Sequence, residues 1–197
     1  MDKFAIKALK SLAIGLETNS ATKDEVKAAA VAVLGLVDPR EPYGSALFNA
    51  LARLTISVCV EMVILRKAAD SSQEVLLRKR GADEVYAHQW HAVGSSFRPG
   101  DPVAKTSARA LRELGNIPLP SPVFRGHFNC LTEERGHYVQ LIYAIDATGV
   151  EIPTMPGHIE WFSTEALPQD LVENHREVVL PVALGHYDSR DMESFVR

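Results

Sequence analysis

The residues with the clearest potential for chemistry lie between positions 94 and 117. Two carboxylates and a guanidinium follow one another there, supplied by Asp101, Arg109 and Glu113. Carboxylate oxygens are hard ligands that suit divalent cations such as Mg²⁺, and a guanidinium pairs with carboxylates or phosphates. The same residue types also have simpler uses, because an aspartate can cap a helix and a glutamate can pair with an arginine four positions away. The segment therefore predicts either an ion-binding site or an ordinary capped helix.

These side chains must be positioned by a loop that turns into a helix. Asp101 is a suitable N-cap, and Pro102 suits the first helical position. Gly115 and Asn116 form a stop signal. The pattern predicts one helix over residues 102–114, packed on a sheet. Its buried face is predicted to carry three apolar residues, Val103, Leu111 and Leu114.

The loop and helix together resemble the signature box of the Nudix (MutT-like) hydrolases. That box has a glycine, five residues, a glutamate and seven more residues, followed by Arg-Glu-aliphatic-any-Glu-Glu-any-Gly-aliphatic. The positions that fit it are Asp101, in the first acidic position, Arg109, Leu111, Glu113 and Ile117. The positions that depart from it are Ser95, Ala110, Leu114 and Asn116. The resemblance implies an α+β fold of the Nudix type, an α/β/α sandwich around a mixed sheet.

The resemblance also implies hydrolysis of a pyrophosphate bond in a nucleoside diphosphate linked to another group, with Mg²⁺ or Mn²⁺ as cofactor. Glu113 is the first candidate for the catalytic residue and metal ligand, and Asp101 is the second metal ligand. Carboxylates at i, i+3 and i+4 would share one helix face, but Ala110 and Leu114 stand at two of those positions, where they continue the apolar stripe of the helix and are predicted to be core residues. The metal is therefore expected to bind weakly. Two simpler interpretations stay open, a helix cap for Asp101 and an exposed pair with Arg109 for Glu113.

Three residues are candidates for binding the substrate. Arg80, at the end of a predicted strand, and Arg109 could bind phosphate, and Trp90 could stack on a base. A solvated charge is the alternative for Arg80, and core packing is the alternative for Trp90. Four carboxylates outside the helix could complete a site through folding, namely Glu133, Glu134, Glu151 and Glu160.

Residues 1–54 are predicted to be a helical N-terminal extension. Residues 2–17 have a helical apolar period, Thr22 and Glu25 form a capping box for a second helix, and Ser45 can cap a third. The apolar stripe of the first helix consists of Phe4, Ala8, Leu9, Leu12 and Leu16. The second helix is predicted to end, and a linker to begin, at Pro39 and Pro42. We expect the extension to pack on the main domain or to build a homodimer interface, in preference to binding another partner or a membrane surface.

From residue 55 onwards the apolar period changes to two, which indicates strands. The predicted strands cover residues 55–64, 75–80, 88–93, 123–131, 138–147 and 159–162, and a closing helix covers residues 173–184. The first two strands should form a hairpin, and the fourth and fifth should pair antiparallel. The Nudix-like domain is therefore predicted to span residues 55–187, before a polar tail at 188–197.

Composition excludes several classes of protein. A formal charge of −4 with mixed signs argues against a binder of DNA or RNA polymers. Two cysteines imply no disulfide framework and fit a cytoplasmic protein. No apolar run approaches the ~20 residues of a membrane span, and the N-terminus lacks the apolar run of a signal peptide.

Two functions follow from the sequence and stay open. The first is a hydrolase of a nucleotide-derived diphosphate, weak because the box is degenerate. The second is a catalytically silent Nudix-fold module that binds a nucleotide-like ligand or a protein.

Overall fold

The computed structural model describes residues 3–38, 44–115, 117–133 and 136–187. The chain divides into two compact units between Gly44 and Ser45. The predicted extension reaches residue 54, whereas the third helix belongs to the second unit in the structure. The predicted linker prolines and the predicted polar tail lie outside the described residues.

The first unit consists of two helices in contact, α1 (Lys3–Glu17) and α2 (Lys23–Leu34). The predicted capping box is confirmed: the Glu25 N–H donates to the Thr22 hydroxyl at 3.2 Å, and the Thr22 N–H donates to the Glu25 carboxylate at 2.9 Å. Ser11 of α1 donates to the same carboxylate at 2.7 Å. One glutamate therefore caps α2 and joins it to α1.

Small residues make the contact between these helices. The buried residues are Ala5, Ala8, Gly15, Ala29 and Ala32. A Cβ on Gly15 would lie only 2.8 Å from Cα of Ala21, so the backbones approach closely there. Phe4 and Leu16 of the predicted apolar stripe are more than half exposed, because alanine and glycine permit a closer approach of the two helices than the larger residues would.

The second unit contains the sheet. Its helices are α3 (Ser45–Ala52), α4 (Val103–Leu111) and α5 (Leu180–Ala183), with a 3₁₀ turn at Arg112–Leu114 and a π-helical turn at His175–Val179. Its strands are β1 (Ile56–Lys67), β2 (Gln73–Lys79), β3 (Trp90–His91), β4 (Val93–Ser96), β5 (Val123–Glu133), β6 (Gly136–Asp146) and β7 (Ile159–Ser163). None of the helices among the described residues is long and apolar enough to cross a membrane.

The strands build one mixed sheet in the order β3-β2-β1-β6-β5, with β4 paired to β1 and β7 paired to β2. The predicted hairpin of β1 and β2 is confirmed, as is the antiparallel pairing of β5 with β6. β1 runs parallel to β6 along ten registered pairs. The predicted α+β fold around a mixed sheet is therefore confirmed.

The residues of β1 alternate between two separate cores. Val60, Met62 and Ile64 lie in the core that contains Ala110 and Leu114 of the α4 segment. The opposite core, shared with α5, receives Cys59, Val63 and Leu65 from β1. A central strand beside a parallel neighbour is typically covered on both faces. For this reason Glu61, between Cys59 and Val63 in the alternation, is also buried.

The predicted helix over residues 102–114 is confirmed as α4 followed by the 3₁₀ turn. Leu114 is 7% exposed, as predicted, whereas Val103 is 38% exposed, so its predicted burial is wrong. The buried residues of α4 are Thr106, Ser107 and Ala110, so Val103 at its first position lies outside the packed part of the helix. Asp101 is not the N-cap, because Pro102 occupies that position and no side chain caps the helix.

Candidate functional site

Arg109 ties the loop before α4 to the helix. Its guanidinium donates to the Ser95 hydroxyl at 2.8 Å, to the Asp101 carboxylate at 2.7 Å and to the Ser96 carbonyl at 2.6 Å. Lys105 pairs with the other oxygen of Asp101 at 2.8 Å. Arg109, which was predicted to bind substrate, therefore directs three of its donors at the loop before α4.

Asp101, the predicted second metal ligand, is enclosed by these cations. Its side chain is 4% exposed. Hydrogen bonds from Lys105 and Arg109 hold the pKa of Asp101 below its usual value. The carboxylate is therefore charged at neutral pH, but two cations already occupy its oxygens.

Two of the three helix positions that carry carboxylates in the Nudix box lie in the core. Ala110 is fully buried, and Leu114 packs in the same cluster as Met62. Neither side chain can bind a cation. The sequence-based interpretation of both residues as core residues is confirmed.

Glu113, the leading catalytic and metal candidate, faces away from Arg109. Its carboxylate accepts a hydrogen bond of 2.6 Å from Nε of Arg78, and its side chain is 36% exposed. Burial raises the pKa of Glu113 above its usual value, although the charge of Arg78 acts against the rise. The predicted pair with Arg109 is wrong, because that guanidinium turns to the preceding loop.

Arg78 of β2 and Arg80, directly after β2, share the carboxylate of Glu84. Nη2 of Arg78 lies 2.7 and 2.8 Å from the two oxygens of Glu84, and Nε of Arg80 lies 3.5 Å from one of them. Nη1 of Arg80 lies 3.4 Å from Nδ1 of His91. Arg80, predicted to bind phosphate, is thus balanced by protein groups.

Trp90 has the core-packing role that the sequence left open. It is 5% exposed and meets Phe162 edge to face, with ring centroids 4.8 Å apart. The ammonium of Lys79 lies 5.3 Å from its ring. Because these contacts cover the indole, stacking on a base would require the side chain to move.

Of the carboxylates proposed to complete the site, Glu151 and Glu160 do not join Glu113 in a metal-binding group. Glu160 accepts a hydrogen bond from the Gly157 N–H, and Glu151 is exposed. The side chain of Glu133 and all of Glu134 lie outside the described residues. Within the described parts of the chain, no three His, Cys, Asp or Glu side chains converge as a metal site would require.

The residues that the structure describes do not fit the divalent metal that the fold implies. Mg²⁺ needs several hard oxygen ligands in near-octahedral geometry. The box helix offers Glu113 alone, which is bound to an arginine, and Asp101 is held by Lys105 and Arg109. No metal-dependent step is therefore derived for these residues.

A second polar cluster, which sequence reasoning missed, is buried on the α5 side of the sheet. The Glu61 carboxylate lies 3.5 Å from Sγ of Cys59, 3.4 Å from the Gln140 amide nitrogen and 3.9 Å from Nε2 of His175. Asn174 donates to the other end of the Gln140 amide at 2.9 Å. The only sequence signal was an acidic residue within an apolar strand.

Gly94, the first residue of the predicted loop, makes room for Glu61. The two residues face each other across the β1–β4 pair. A Cβ on Gly94 would fall 2.5 Å from Oε2 of Glu61 and 2.9 Å from the Val60 carbonyl oxygen. Both distances are too short for a methyl group, so this position favours glycine for steric reasons.

Comparison with known proteins identifies the fold. No protein-family model and no curated protein matches the sequence. A MutT Nudix hydrolase from Burkholderia pseudomallei has a similar structure, with 22% identity and a TM-score of 0.51, over 68% of this chain and 99% of that one. A MutT/Nudix family protein from Enterococcus faecalis gives 15% identity and a TM-score of 0.55, over 91% and 73%.

A third similar structure is the C-terminal domain of mouse MUTYH, solved in complex with human PCNA. It is 17% identical, with a TM-score of 0.54, over 66% of this chain and 88% of that chain. At these identities the likeness concerns the fold alone. The chain has the Nudix fold, as its loop and helix led us to expect.

Proposed function

We propose that this chain is a Nudix-fold module that acts by binding and does not hydrolyse pyrophosphate bonds through its box helix. The observation that carries this proposal is the burial of Ala110 and Leu114, where the family box has glutamates. Where the family box has two glutamates that bind a metal and so neutralise phosphate charge, this chain has two side chains that pack in the core.

The remaining helix carboxylate is a poor metal ligand by itself. Mg²⁺ keeps its waters unless several ligands or substrate phosphates converge on it. Glu113 would also have to release Arg78, which holds it at 2.6 Å. We therefore expect Mg²⁺ or Mn²⁺ to bind weakly to the free protein.

A protein is the class of partner that the first unit favours. Several large apolar side chains of α1 and α2 are well exposed, among them Phe4, Ile14, Leu16, Val26 and Val31. Large apolar side chains exposed in this number favour an interaction surface on these helices. The similar MUTYH domain forms a complex with a protein, which supports the same class of role here. We propose a homodimer as the first such assembly and a nucleotide-derived small molecule as the alternative ligand.

Titration with Mg²⁺ and with Mn²⁺ by calorimetry tests the proposed loss of the metal site. We expect dissociation constants weaker than about 1 mM, and the same heats for Glu113→Gln. Tight binding that disappears in Glu113→Gln would contradict the proposal and restore a metal-dependent function.

Weak Nudix-type hydrolysis is the second candidate function. Glu113 supports this function, because burial raises the pKa of its carboxyl. This carboxyl lies near Arg78 and Arg80, at a position where the box has a glutamate. A perturbed carboxyl of this kind is a candidate acid or base. For location, we propose the cytoplasm, because two cysteines imply no disulfide framework.

A further inference from the structure

Three hydrogen bonds attach residues 170–175, which precede α5, to Trp90 of β3 and to Ala92. The Trp90 N–H donates to the Asp170 carbonyl, and the Val172 N–H donates to the Trp90 carbonyl, both at 2.9 Å. The Ala92 N–H donates to Nδ1 of His175, the first residue of the π-helical turn, at 3.1 Å. Of these three acceptors, only the imidazole can change with pH.

The contact with Ala92 fixes the protonation of His175. A neutral imidazole has one donor nitrogen and one acceptor nitrogen. Because Nδ1 accepts from a backbone N–H, the ring proton lies on Nε2, which is 3.9 Å from Oε2 of Glu61. A second proton would make Nδ1 a donor as well. The protonated ring would then lose its bond to Ala92 and be attracted to Glu61.

His91 lies beside His175 but resists a second proton. The two ring centroids are 5.9 Å apart, and Arg80, which can only donate, lies 3.4 Å from Nδ1 of His91. Burial, together with the positive charges of Arg80, His175 and Arg78, lowers the pKa of His91 well below its usual value, with only the Ala92 backbone acting the other way. A proton taken up in acid therefore binds to His175, the ring that faces Glu61.

Titratable and charged groups near the two rings lie on β1, β2 and the loop after it, β3, β6 and the π-helical turn. The titratable and charged groups are Cys59, Glu61, Arg78, Arg80, Glu84, His91, Tyr138 and His175. Glu84 is already paired with Arg78 and Arg80. Glu61 is thus the anion positioned to receive a cationic His175.

We propose that His175 is an acid-sensitive latch that holds the π-helical turn against Ala92, between β3 and β4. Around neutral pH its ring binds the Ala92 N–H. After it takes up a proton, the ring leaves Ala92 for Glu61, so the turn stays attached to β1 but is released from Ala92. The π-helical turn at this point suits such a movement, because π turns interrupt the regular helical ladder and are frequent at functional positions.

Hydrogen exchange of the full chain, followed by NMR, tests the latch at the Ala92 amide itself. Protection factors corrected for the intrinsic exchange rate should be compared between about pH 7.5 and about pH 5. We expect the Ala92 amide to lose at least about tenfold more protection than the amides of β1 and β6, which follow the general loss of stability in acid. An equal loss at Ala92 and in these two strands would overturn the proposal.

Two histidine variants separate the imidazoles. In His175→Asn the side-chain oxygen can still accept from Ala92 but cannot titrate, so the additional loss of protection at Ala92 should disappear. In His91→Asn, and in the exposed control His158→Asn, the loss should persist. A loss that survives in His175→Asn, or that vanishes in His91→Asn, would assign the effect to another group and contradict the latch.

Discussion

Arg78 holds Glu113 by a 2.6 Å hydrogen bond from Nε, while Nη2 of the same guanidinium reaches both oxygens of Glu84. The only acidic residue left at the expected positions of the box helix is therefore part of an ion-pair network with β2. In this arrangement Glu113 connects the 3₁₀ turn after α4 to the sheet. The network gives Glu113 a structural role.

A double-mutant cycle with Arg78→Leu and Glu113→Gln measures that role. Arg78→Leu removes the cation shared by two carboxylates, so we expect the free energy of unfolding to fall by about 1–2 kcal/mol. The exposure of Glu113 lets solvent screen part of the pair. The coupling between the two changes should be about 0.5–1 kcal/mol in urea unfolding. Strictly additive effects would show that the pair contributes nothing.

Substitutions at the two core positions of the box helix, Ala110 and Leu114, should destabilise the protein. Leu114→Ala is expected to cost about 2–5 kcal/mol, because it leaves a cavity in the core beneath α4. Ala110→Glu buries a charge at a fully enclosed position and should be at least as costly. Val103→Ala, at an exposed position of the same helix, is the control and should cost less than about 1 kcal/mol. A stable Ala110→Glu variant with native melting behaviour would refute the assignment of this residue to the core.

Local signals in the sequence were sufficient for most of the fold. The capping box of Thr22 and Glu25 and the helix over residues 102–114 follow from contacts within a few residues. The paired strands follow from the period-two apolar pattern. The same local reasoning identified Ala110 and Leu114 as core residues. It could do so because their helical spacing continues an apolar stripe.

The site depended on contacts between distant residues, and local reasoning failed there. Arg109 is four positions from Glu113, yet it bonds to Ser95 and Asp101, because the loop folds back over the helix. Glu61 and His175 meet only because β1 is covered on both faces. The sequence does not reveal that second covering layer, so the buried polar cluster could not be predicted.

Acid should destabilise the protein through His91. The pKa of His91 is lowered by burial and by Arg80, so in the fold it stays neutral below the value of about 6.5 expected in the unfolded chain. As pH falls below about 6.5, the unfolded state binds a proton that the folded state does not. Stability is therefore fully present above that pH and is lost below it, by up to about 1.4 kcal/mol per pH unit.

Urea unfolding at several pH values between about 7.5 and about 5.5 checks this slope. His91→Asn should flatten it, whereas His158→Asn, at an exposed position, should leave it unchanged. Equal slopes in the wild type and in His91→Asn would mean that His91 does not set the acid sensitivity.

The apolar surface of the first unit should control assembly. Ile14 and Val31 are 62% and 63% exposed, so the double change Ile14→Glu, Val31→Glu should leave the helices folded. We expect light scattering to show a dimer for the wild type and a monomer for this variant, with Lys10→Glu as a charge-changing control at another exposed position. Deletion of residues 1–40 should also change the mass in solution. A wild-type protein that is monomeric at every concentration would remove the homodimer from the proposal.

Turnover of nucleoside diphosphate derivatives with Mg²⁺ and Mn²⁺, compared between the wild type and Glu113→Gln, tests most directly whether this fold acts without hydrolysis. The burial of Ala110 and Leu114 and the pairing of Glu113 with Arg78 predict that neither protein exceeds the protein-free background. Metal-dependent turnover that falls at least about tenfold in Glu113→Gln, a loss of ~1.4 kcal/mol of transition-state stabilisation, would contradict the prediction and identify a working Nudix site. Robust turnover that Glu113→Gln leaves unchanged would contradict it as well, by locating the catalytic carboxylates elsewhere.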